Sequence, residues 1–526
     1  MRIGIDVGGT NTDAVLMDGR EVLAEFKTLT TPEVTDGIVA ALAGLQRARP
    51  FPPDQVSTVM IGTTHFTNAV VEAQRLAPTA TIRLGLPATA ALPPMTDWPD
   101  RLSGALGQHS YLCHGGYEFD GRIISEFDEK EVREAAADIA AKGIGTVAIS
   151  AVFSPVNADM EVQAAEVLRD VIPGISVSLS HEIGRVGLLE RENATILNAC
   201  LHELAEKITV ALERAVRAAG ISAPVYISQN DGTLMSVEYC RQYPVATFAS
   251  GPTNSMRGAA FLSGRSDCVV IDVGGTTSDV GVLVHGFPRE AAVAVDIGGV
   301  RTNFRMPDVL PVGLGGGSMV GTGSDGSAGV TVGPRSVGYA IQQRALVFGG
   351  DTLTATDLAV AAGLCDVGDR DRVAGLDRDL VRRGVELIQR RLAELVDRVK
   401  TSPGPLPVVV VGGGSILLED QLEGASEILK PEHFAVANAI GAAIAQVGGE
   451  VDKVVSLAGQ PREAALDAVR TEAVGKAVAA GALPSSVQIV DVEEVPLAYL
   501  PSNAVRIRVK AVGDLPLRGD DDAADN

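Results

Sequence analysis

The residues of this chain best suited to chemistry form a loop that occurs twice. The first copy is Asp6-Val7-Gly8-Gly9-Thr10-Asn11-Thr12-Asp13, and the second is Asp272-Val273-Gly274-Gly275-Thr276-Thr277-Ser278-Asp279. Each follows a short apolar run (3–5 and 269–271) and precedes another (14–17 and 280–284). That pattern predicts a hairpin loop between antiparallel strands at the start of each of two related halves. Glycines remove side chains, so backbone N–H groups at Gly8, Gly9, Gly274 and Gly275 can converge on phosphate oxygens. Thr10, Asn11, Thr276 and Thr277 add polar side chains to the same loops. Asp6 and Asp272, at strand ends, are suited to holding Mg2+ through its water shell, since that ion takes oxygen ligands and keeps several waters. Asp13 and Asp279 are placed to contact the metal or a water, or simply to cap the turn. One such loop could be an ordinary turn. Two at equivalent positions read as paired phosphate loops, with Asp6, Asp13, Asp272 and Asp279 as the candidate catalytic groups.

A third segment supports this reading. The apolar run 408–411 enters Gly412-Gly413-Gly414-Ser415, which predicts a strand, a glycine turn and a helix start. Such a turn lets backbone approach a flat base or ribose. After two phosphate loops it fits an adenosine site, so ATP and Mg2+ are the expected cofactors.

The elements that must position these loops are legible as an α/β alternation. Residues 2–7, 14–17 and 21–28 read as strands, 35–48 as a helix, 56–61 as a strand and 67–75 as the start of a helix. Residues 86–122 are rich in Pro, Gly and His and read as loops around a site or an inserted region. Alternation resumes over 129–179, followed by helix over 183–220 and a strand at 225–228. The second half carries a long helix over 379–400 and an Ala-rich helix over 434–446. The resulting division is 1–182 with the first phosphate loop, 183–450 with the second loop and the adenosine loop, a small α/β domain over 451–518, and an acidic, disordered tail over 519–526.

Composition limits the partners. The 526 residues include 66 acidic and 44 basic side chains, for a net charge of −22. Nucleic acid and anionic membranes both require a cationic face, so neither is expected. The five cysteines are scattered, with no Cys-x-x-Cys pair to suggest zinc or a disulfide framework. No signal peptide or membrane span is visible, which reads as a cytoplasmic chain.

The three glycine motifs in this order resemble the actin, sugar-kinase and Hsp70 ATPase superfamily. More narrowly, the chain resembles the hydantoinase A/5-oxoprolinase family, which includes acetone carboxylase and caprolactamase-type subunits. The matching segments include 62–69 (Gly-Thr-Thr-His-Phe-Thr-Asn-Ala), 189–195 (Leu-Glu-Arg-Glu-Asn-Ala-Thr), 229–233 (Gln-Asn-Asp-Gly-Thr), 250–252 (Ser-Gly-Pro) and 313–318 (Gly-Leu-Gly-Gly-Gly-Ser). The resemblance implies an α/β fold of duplicated actin-like ATPase (ribonuclease H-like) domains around a central nucleotide cleft, with a small C-terminal α/β appendage. It also implies transfer of the γ-phosphoryl group of ATP to the carbonyl oxygen of a cyclic amide such as a hydantoin, lactam or oxoproline-like ring, or of a ketone. A partner subunit or domain, hydantoinase B-like or another companion, then completes the reaction; no B-type region follows Asn526. Two departures argue against 5-oxoproline itself: Asn11 replaces an aromatic residue common in the family, and 333–338 lacks the oxoprolinase continuation.

Candidate substrate residues each have a plainer alternative. His65 and Asn68 follow a strand and could face a site, or could begin a helix capped by Thr64. His114, Gly115 and Gly116 correspond to a Gly-Gly stretch that lies near the family's substrate pocket, or form a surface loop. Asn230 and Asp231 could reach metal or substrate, or make a turn. Glu190, Arg191 and Asn193 could mark the cleft or form an ion pair with a helix-start role, and Arg301, Asn303 and Arg305 read as either a cleft lining or a solvated strand. Two functions of other classes compete with the amidase: a nucleotide-gated regulator or assembly protein, and a small-molecule kinase of the sugar-kinase type. A homo-oligomer is compatible with all three.

Overall fold

The computed structural model describes residues 1–9, 11–30, 34–291, 295–303, 306–322, 329–457, 459, 461–497 and 504–516. Thr10, Arg305 and the 519–526 tail lie outside the described residues.

The chain opens with β1 (Arg2–Val7), β2 (Asn11–Asp18), β3 (Glu21–Leu29) and, after a helix, β4 (Thr58–Thr63). A parallel sheet then forms from β5 (Thr79–Leu86), β6 (His109–His114), β7 (Thr146–Ala151) and β8 (Ser176–Leu179), in the order β6-β5-β7-β8. The helix Leu188–Ala218 leads back to β9 (Val225–Ser228) and β10 (Thr233–Ser236). The second half contains β11 (Cys268–Val273), β12 (Ser278–Val284), β13 (Phe287–Pro288), the hairpin β14 (Val295–Ile297) and β15 (Val300–Thr302), then β16 (Val309–Val312). A second hairpin, β17 (Ser318–Thr322) and β18 (Val330–Ser336), precedes β19 (Leu406–Val411) and β20 (Ala425–Leu429). The final strands are β21 (Gln446–Val455), β22 (Gln488–Pro496) and β23 (Val505–Gly513).

The duplication seen in the loops extends through whole sheets. In the first half β1 pairs antiparallel with β2, β2 antiparallel with β3, β1 parallel with β4, and β4 parallel with β9. In the second half β11 pairs antiparallel with β12, β12 antiparallel with β16 and β13, β11 parallel with β19, and β19 parallel with β20. This is the duplicated actin-like ATPase arrangement, two sheets of one topology. Strands β1, β4, β11 and β19 are almost wholly buried, as strands covered on both faces must be.

Several sequence expectations need correction. The region 86–122 is not merely irregular: it holds the helix Asp100–Leu106 and the edge strand β6. The helix expected over 434–446 is shorter, Ala437–Ala443, and β21 begins at Gln446. Ser415 starts only a three-residue 3-10 turn, Ser415–Leu417. The helix Leu188–Ala218, grouped with the second half from sequence, contributes Leu197, Leu201, Ile208 and Leu212 to the core of the first. The C-terminal strands extend the first half's sheet, running β22-β23-β21-β10-β9.

Candidate functional site

The two loops are built alike to the level of single hydrogen bonds. In the first, Gly8 N–H donates to the Asn11 carbonyl at 3.0 Å; in the second, Gly274 N–H donates to the Thr277 carbonyl at 2.9 Å. Ladder register sets Asp6 opposite Asp13 and Asp272 opposite Asp279. At the exposed apices, a Cβ on Gly9 or Gly275 would meet nothing within 4 Å, so a ligand can approach the backbone there.

Each leading aspartate rests over a glycine of the neighbouring parallel strand or its end. A Cβ on Gly62 would lie 2.4 Å from Asp6 Oδ1, and one on Gly412 would lie 2.2 Å from Asp272 Oδ1. Two helices then tie the aspartates together. Asn438, on Ala437–Ala443, donates to Asp6 Oδ2 at 3.3 Å, and Asn254, on Ser250–Ser263, donates to Asp6 Oδ1 at 3.4 Å. The Ser255 hydroxyl is within reach of both the Asp272 carboxylate and, at 2.7 Å, Asn438 Oδ1; its one proton serves one acceptor at a time. The helices cross in backbone contact, since a Cβ on Gly441 would sit 1.8 Å from the Asn254 carbonyl oxygen and one on Gly258 would sit 2.0 Å from that of Ala437.

The charges are unbalanced. Burial, with the neighbouring charge of Asp13 next in importance, raises the Asp6 carboxyl to about 6 despite its two amide donors. Burial also raises Asp13, which Lys27 opposes through an ion pair of 2.6 Å. Asp272 is raised by burial, offset by the Ser255 hydrogen bond and the charge of Lys27. Asp279 is pushed up to about 7 by burial and then by Asp272. A recessed group of carboxylates with so little counter-charge fits a divalent cation. Among the described residues no three His, Cys, Asp or Glu side chains cluster closely enough to hold a metal alone. A divalent cation beside Asp6 and Asp272 would have to complete its shell with ligand oxygens and water.

Glycines brace the second loop. Gly414 N–H donates to the Val273 carbonyl at 2.7 Å, Gly316 N–H to that of Gly274 at 3.0 Å, and Gly317 N–H to that of Gly275 at 2.7 Å. A Cβ on Gly315 would lie 2.7 Å from the Gly274 carbonyl oxygen. Gly413 remains exposed and open. On the first loop the brace is lighter: the Thr30 hydroxyl donates to the Gly8 carbonyl at 2.8 Å, and the Thr64 N–H to that of Val7 at 3.3 Å.

The remaining candidates fall in different places. His65 begins the helix His65–Glu72 behind the first loop; its Nδ1 lies 2.7 Å from the Thr63 hydroxyl, and burial, aided by Arg75, lowers its pKa to about 4. Thr64 makes no side-chain cap; its hydroxyl donates to the Val7 carbonyl at 3.3 Å, and Asn68 reaches that hydroxyl at 3.5 Å. His114 ends β6 of the four-stranded sheet and pairs with Glu131 at 2.7 Å; Gly115 and Gly116 follow the strand and turn with positive φ against Leu84 and Val152. Asp231 is engaged by Lys510 at 2.8 Å and by the Thr233 N–H, and the carbonyl of Asn230 accepts from Thr253. Arg191 and Glu192 are fully buried; Glu192 accepts from Arg83 at 2.7 Å and Ser150 at 2.6 Å, fastening the long helix to the parallel sheet. Sequence reading missed Asn254, Ser255, Asn438 and Lys27, and quoted Gly62 without a role. An apolar cavity of about 600 Å3, lined by Phe119, Phe153, Val454 and Leu497 among others, includes no glycine-loop residue.

Known proteins share this architecture. Residues 2–172 match the hydantoinase/oxoprolinase N-terminal region, and residues 191–399 match hydantoinase/oxoprolinase. The caprolactamase alpha subunit of Pseudomonas jessenii is 26% identical over 425 residues, covering 75% of this chain and 58% of the relative. The acetophenone carboxylase gamma subunit of Aromatoleum aromaticum is 27% identical over 398 residues, covering 69% of this chain and 53% of the relative. The chain thus spans little more than half the length of these curated relatives. In structure, an ATP-dependent caprolactamase from Pseudomonas jessenii aligns with a TM-score of 0.78 at 18% identity, over 98% of this chain and 89% of that one. No helix among the described residues is long and apolar enough to cross a membrane.

Proposed function

The chain belongs to the hydantoinase/oxoprolinase family, and from that premise we propose that it is the ATP-using part of an enzyme that phosphorylates the carbonyl oxygen of a cyclic amide or related compound. The observation that carries the reading is the join between the loops: Asp6 and Asp272, from separate halves, connected through Asn438 and Ser255. Such a join suits one Mg-ATP held by both loops.

An amide carbonyl is a poor electrophile. Its oxygen attacks the γ-phosphorus as the bond to the β,γ-bridging oxygen breaks and ADP leaves; the amide N–H proton goes to solvent. Water can then add at the activated carbon; the ring nitrogen takes up a proton and leaves as the C–N bond breaks, opening the ring to an acyl phosphate that a second water hydrolyses to carboxylate and phosphate. Phosphoryl transfer needs mainly positioning and charge stabilisation. With the Gly8 and Gly274 N–H groups closing their loops, those at the open apices, Gly9 and Gly275, would bind phosphate oxygens, and Gly412, Gly413, Gly414 and Ser415 would face the adenosine. Asp6 and Asp272 would orient the hydrated Mg2+, which supplies charge neutralisation at the leaving phosphates. A hydantoinase B-like companion would complete ring opening, a role consistent with relatives named as alpha and gamma subunits.

The test is release of ADP from ATP, measured with a panel of lactams, hydantoins and ketones, with and without a candidate companion. At least one carbonyl compound should stimulate release, and Asp272→Ala should abolish the stimulation. Tight ATP binding with no stimulation by any compound would replace the enzyme reading with that of a nucleotide-gated regulator.

A further inference from the structure

The duplication breaks at one position. In the first half, the residue opposite Asp13 across the β2–β3 ladder is Lys27; in the second, the residue opposite Asp279 across the β12–β16 ladder is Pro311. Two otherwise matched hairpins thus differ in whether their trailing aspartate faces an ammonium group.

Neutralising a recessed aspartate does not explain the lysine, because Asp279 occupies the same place with no ion pair or side-chain hydrogen bond recorded among the described residues. Lys27 is also set for more than a pair. Asp13 is buried, with 7% of its side chain exposed, and anchors the ammonium at 2.6–2.8 Å; the lysine side chain itself is 36% exposed. An ammonium has three donors, so contact with Asp13 leaves others free to turn outward. Its charge is felt across the cleft at Asp272 on the opposing loop. The strand bearing it is held to the first loop at its end, where the Thr30 hydroxyl, just beyond β3, donates to the Gly8 carbonyl at 2.8 Å.

The direction of a bound nucleotide follows from the second half. The Gly412–Ser415 turn packs on the second loop, with Gly414 N–H on the Val273 carbonyl. A nucleotide whose adenosine rests on that turn would lay its first phosphates along the second loop and extend its last toward the first. We propose that Lys27 is the cation that contacts the terminal phosphate of ATP, with Asp13 as the residue that aims it. This inference rests on the ATP reading above and assigns the end of the nucleotide that the first loop recognises.

The test is calorimetric titration of Mg-ATP and Mg-ADP into the full chain, into Lys27→Met, and into the double variant Lys27→Met/Asp13→Asn. A terminal-phosphate contact predicts that Lys27→Met weakens ATP at least tenfold while changing ADP less than threefold, and that the added Asp13→Asn does not restore ATP affinity. Equal loss for both nucleotides, unchanged ATP binding, or recovery in the double variant would overturn the assignment and leave Lys27 as the counter-charge of Asp13, with the ATP site intact. Failure of the folded wild-type chain to bind either nucleotide would overturn both this assignment and the reading beneath it.

Discussion

The two glycine loops share a sequence, a ladder register and a closing hydrogen bond, yet they are supported differently. The second is enclosed by backbone, with three carbonyls taken by the N–H groups of Gly316, Gly317 and Gly414. The first is held mainly by hydroxyls, those of Thr30 and Thr64, and carries the lysine. The difference is one of rigidity against charge. A loop fixed by backbone contacts cannot shift without unseating several glycines, which suits the anchored part of a nucleotide. A loop held by side chains, with a cation beside it, suits the part where charge moves during phosphoryl transfer.

The largest expected effect comes from the two glycines beneath the aspartates. Gly412→Ala places a methyl group 2.2 Å from Asp272 Oδ1 and 2.5 Å from the Val273 carbonyl oxygen, at a φ of +83°. It should cost roughly 3 kcal/mol or more and abolish nucleotide binding. Gly62→Ala meets the side chains of Asp6 and Asn254, at 2.4 and 2.5 Å, with no left-handed backbone to strain. It should cost less, roughly 1–3 kcal/mol. Denaturant unfolding checks the order, and a reversal would show that the second loop is not the more rigid of the two.

Next comes the charge asymmetry, read through pH. The folded pKa of Asp279, about 7, lies above its ordinary 3.8, so the folded state holds a proton that the unfolded state releases between those values. Its contribution is complete below about pH 4 and is lost as pH rises through 7. At pH 8, in the absence of nucleotide and metal, Asp279→Asn should therefore stabilise the protein by roughly 2 kcal/mol. Asp13 is raised by burial too, but Lys27 offsets part of that rise, so Asp13→Asn should stabilise the protein less than Asp279→Asn. Thermal unfolding of both variants across pH 4–8 should show the larger gain for Asp279→Asn at the alkaline end, and equal gains would remove the asymmetry.

The smallest effect belongs to the light brace. Thr30→Val deletes the hydroxyl on the Gly8 carbonyl and should cost about 1 kcal/mol in urea unfolding. A loss as large as that from Gly62→Ala would mean the first loop depends on this contact as heavily as the second depends on its glycines.

Much of the site was legible because its chemistry is written in local residue types. Glycines, a strand-end aspartate and a second aspartate across the turn stand at fixed spacing, so Asp6, Asp13, Asp272, Asp279 and the third glycine turn at 412–414 could be singled out as candidates directly. Asn254, Ser255 and Asn438 were not, because each is an ordinary polar residue in a helix of small residues. Their role exists only because Gly258 and Gly441 let two helices meet in backbone contact, which is a long-range fact. Lys27 was hidden for a similar reason: a lysine on a strand reads as solvent-facing until the ladder sets it opposite Asp13. Strand β6 escaped because an edge strand with mixed burial, His-Ser-Tyr-Leu-Cys-His, has no continuous apolar run. The reach of β21, β22 and β23 into the first half's sheet was hidden too, since alternation shows that strands exist but not which ones become neighbours.

The central claim is that both loops hold one nucleotide. Calorimetric titration of Mg-ATP into the wild-type chain, Asp6→Ala and Asp272→Ala tests it most directly. The account predicts one ATP per chain and a loss of at least tenfold in affinity from either substitution alone, because each aspartate serves the same metal. Two ATP per chain, or full affinity retained after either substitution, would contradict it.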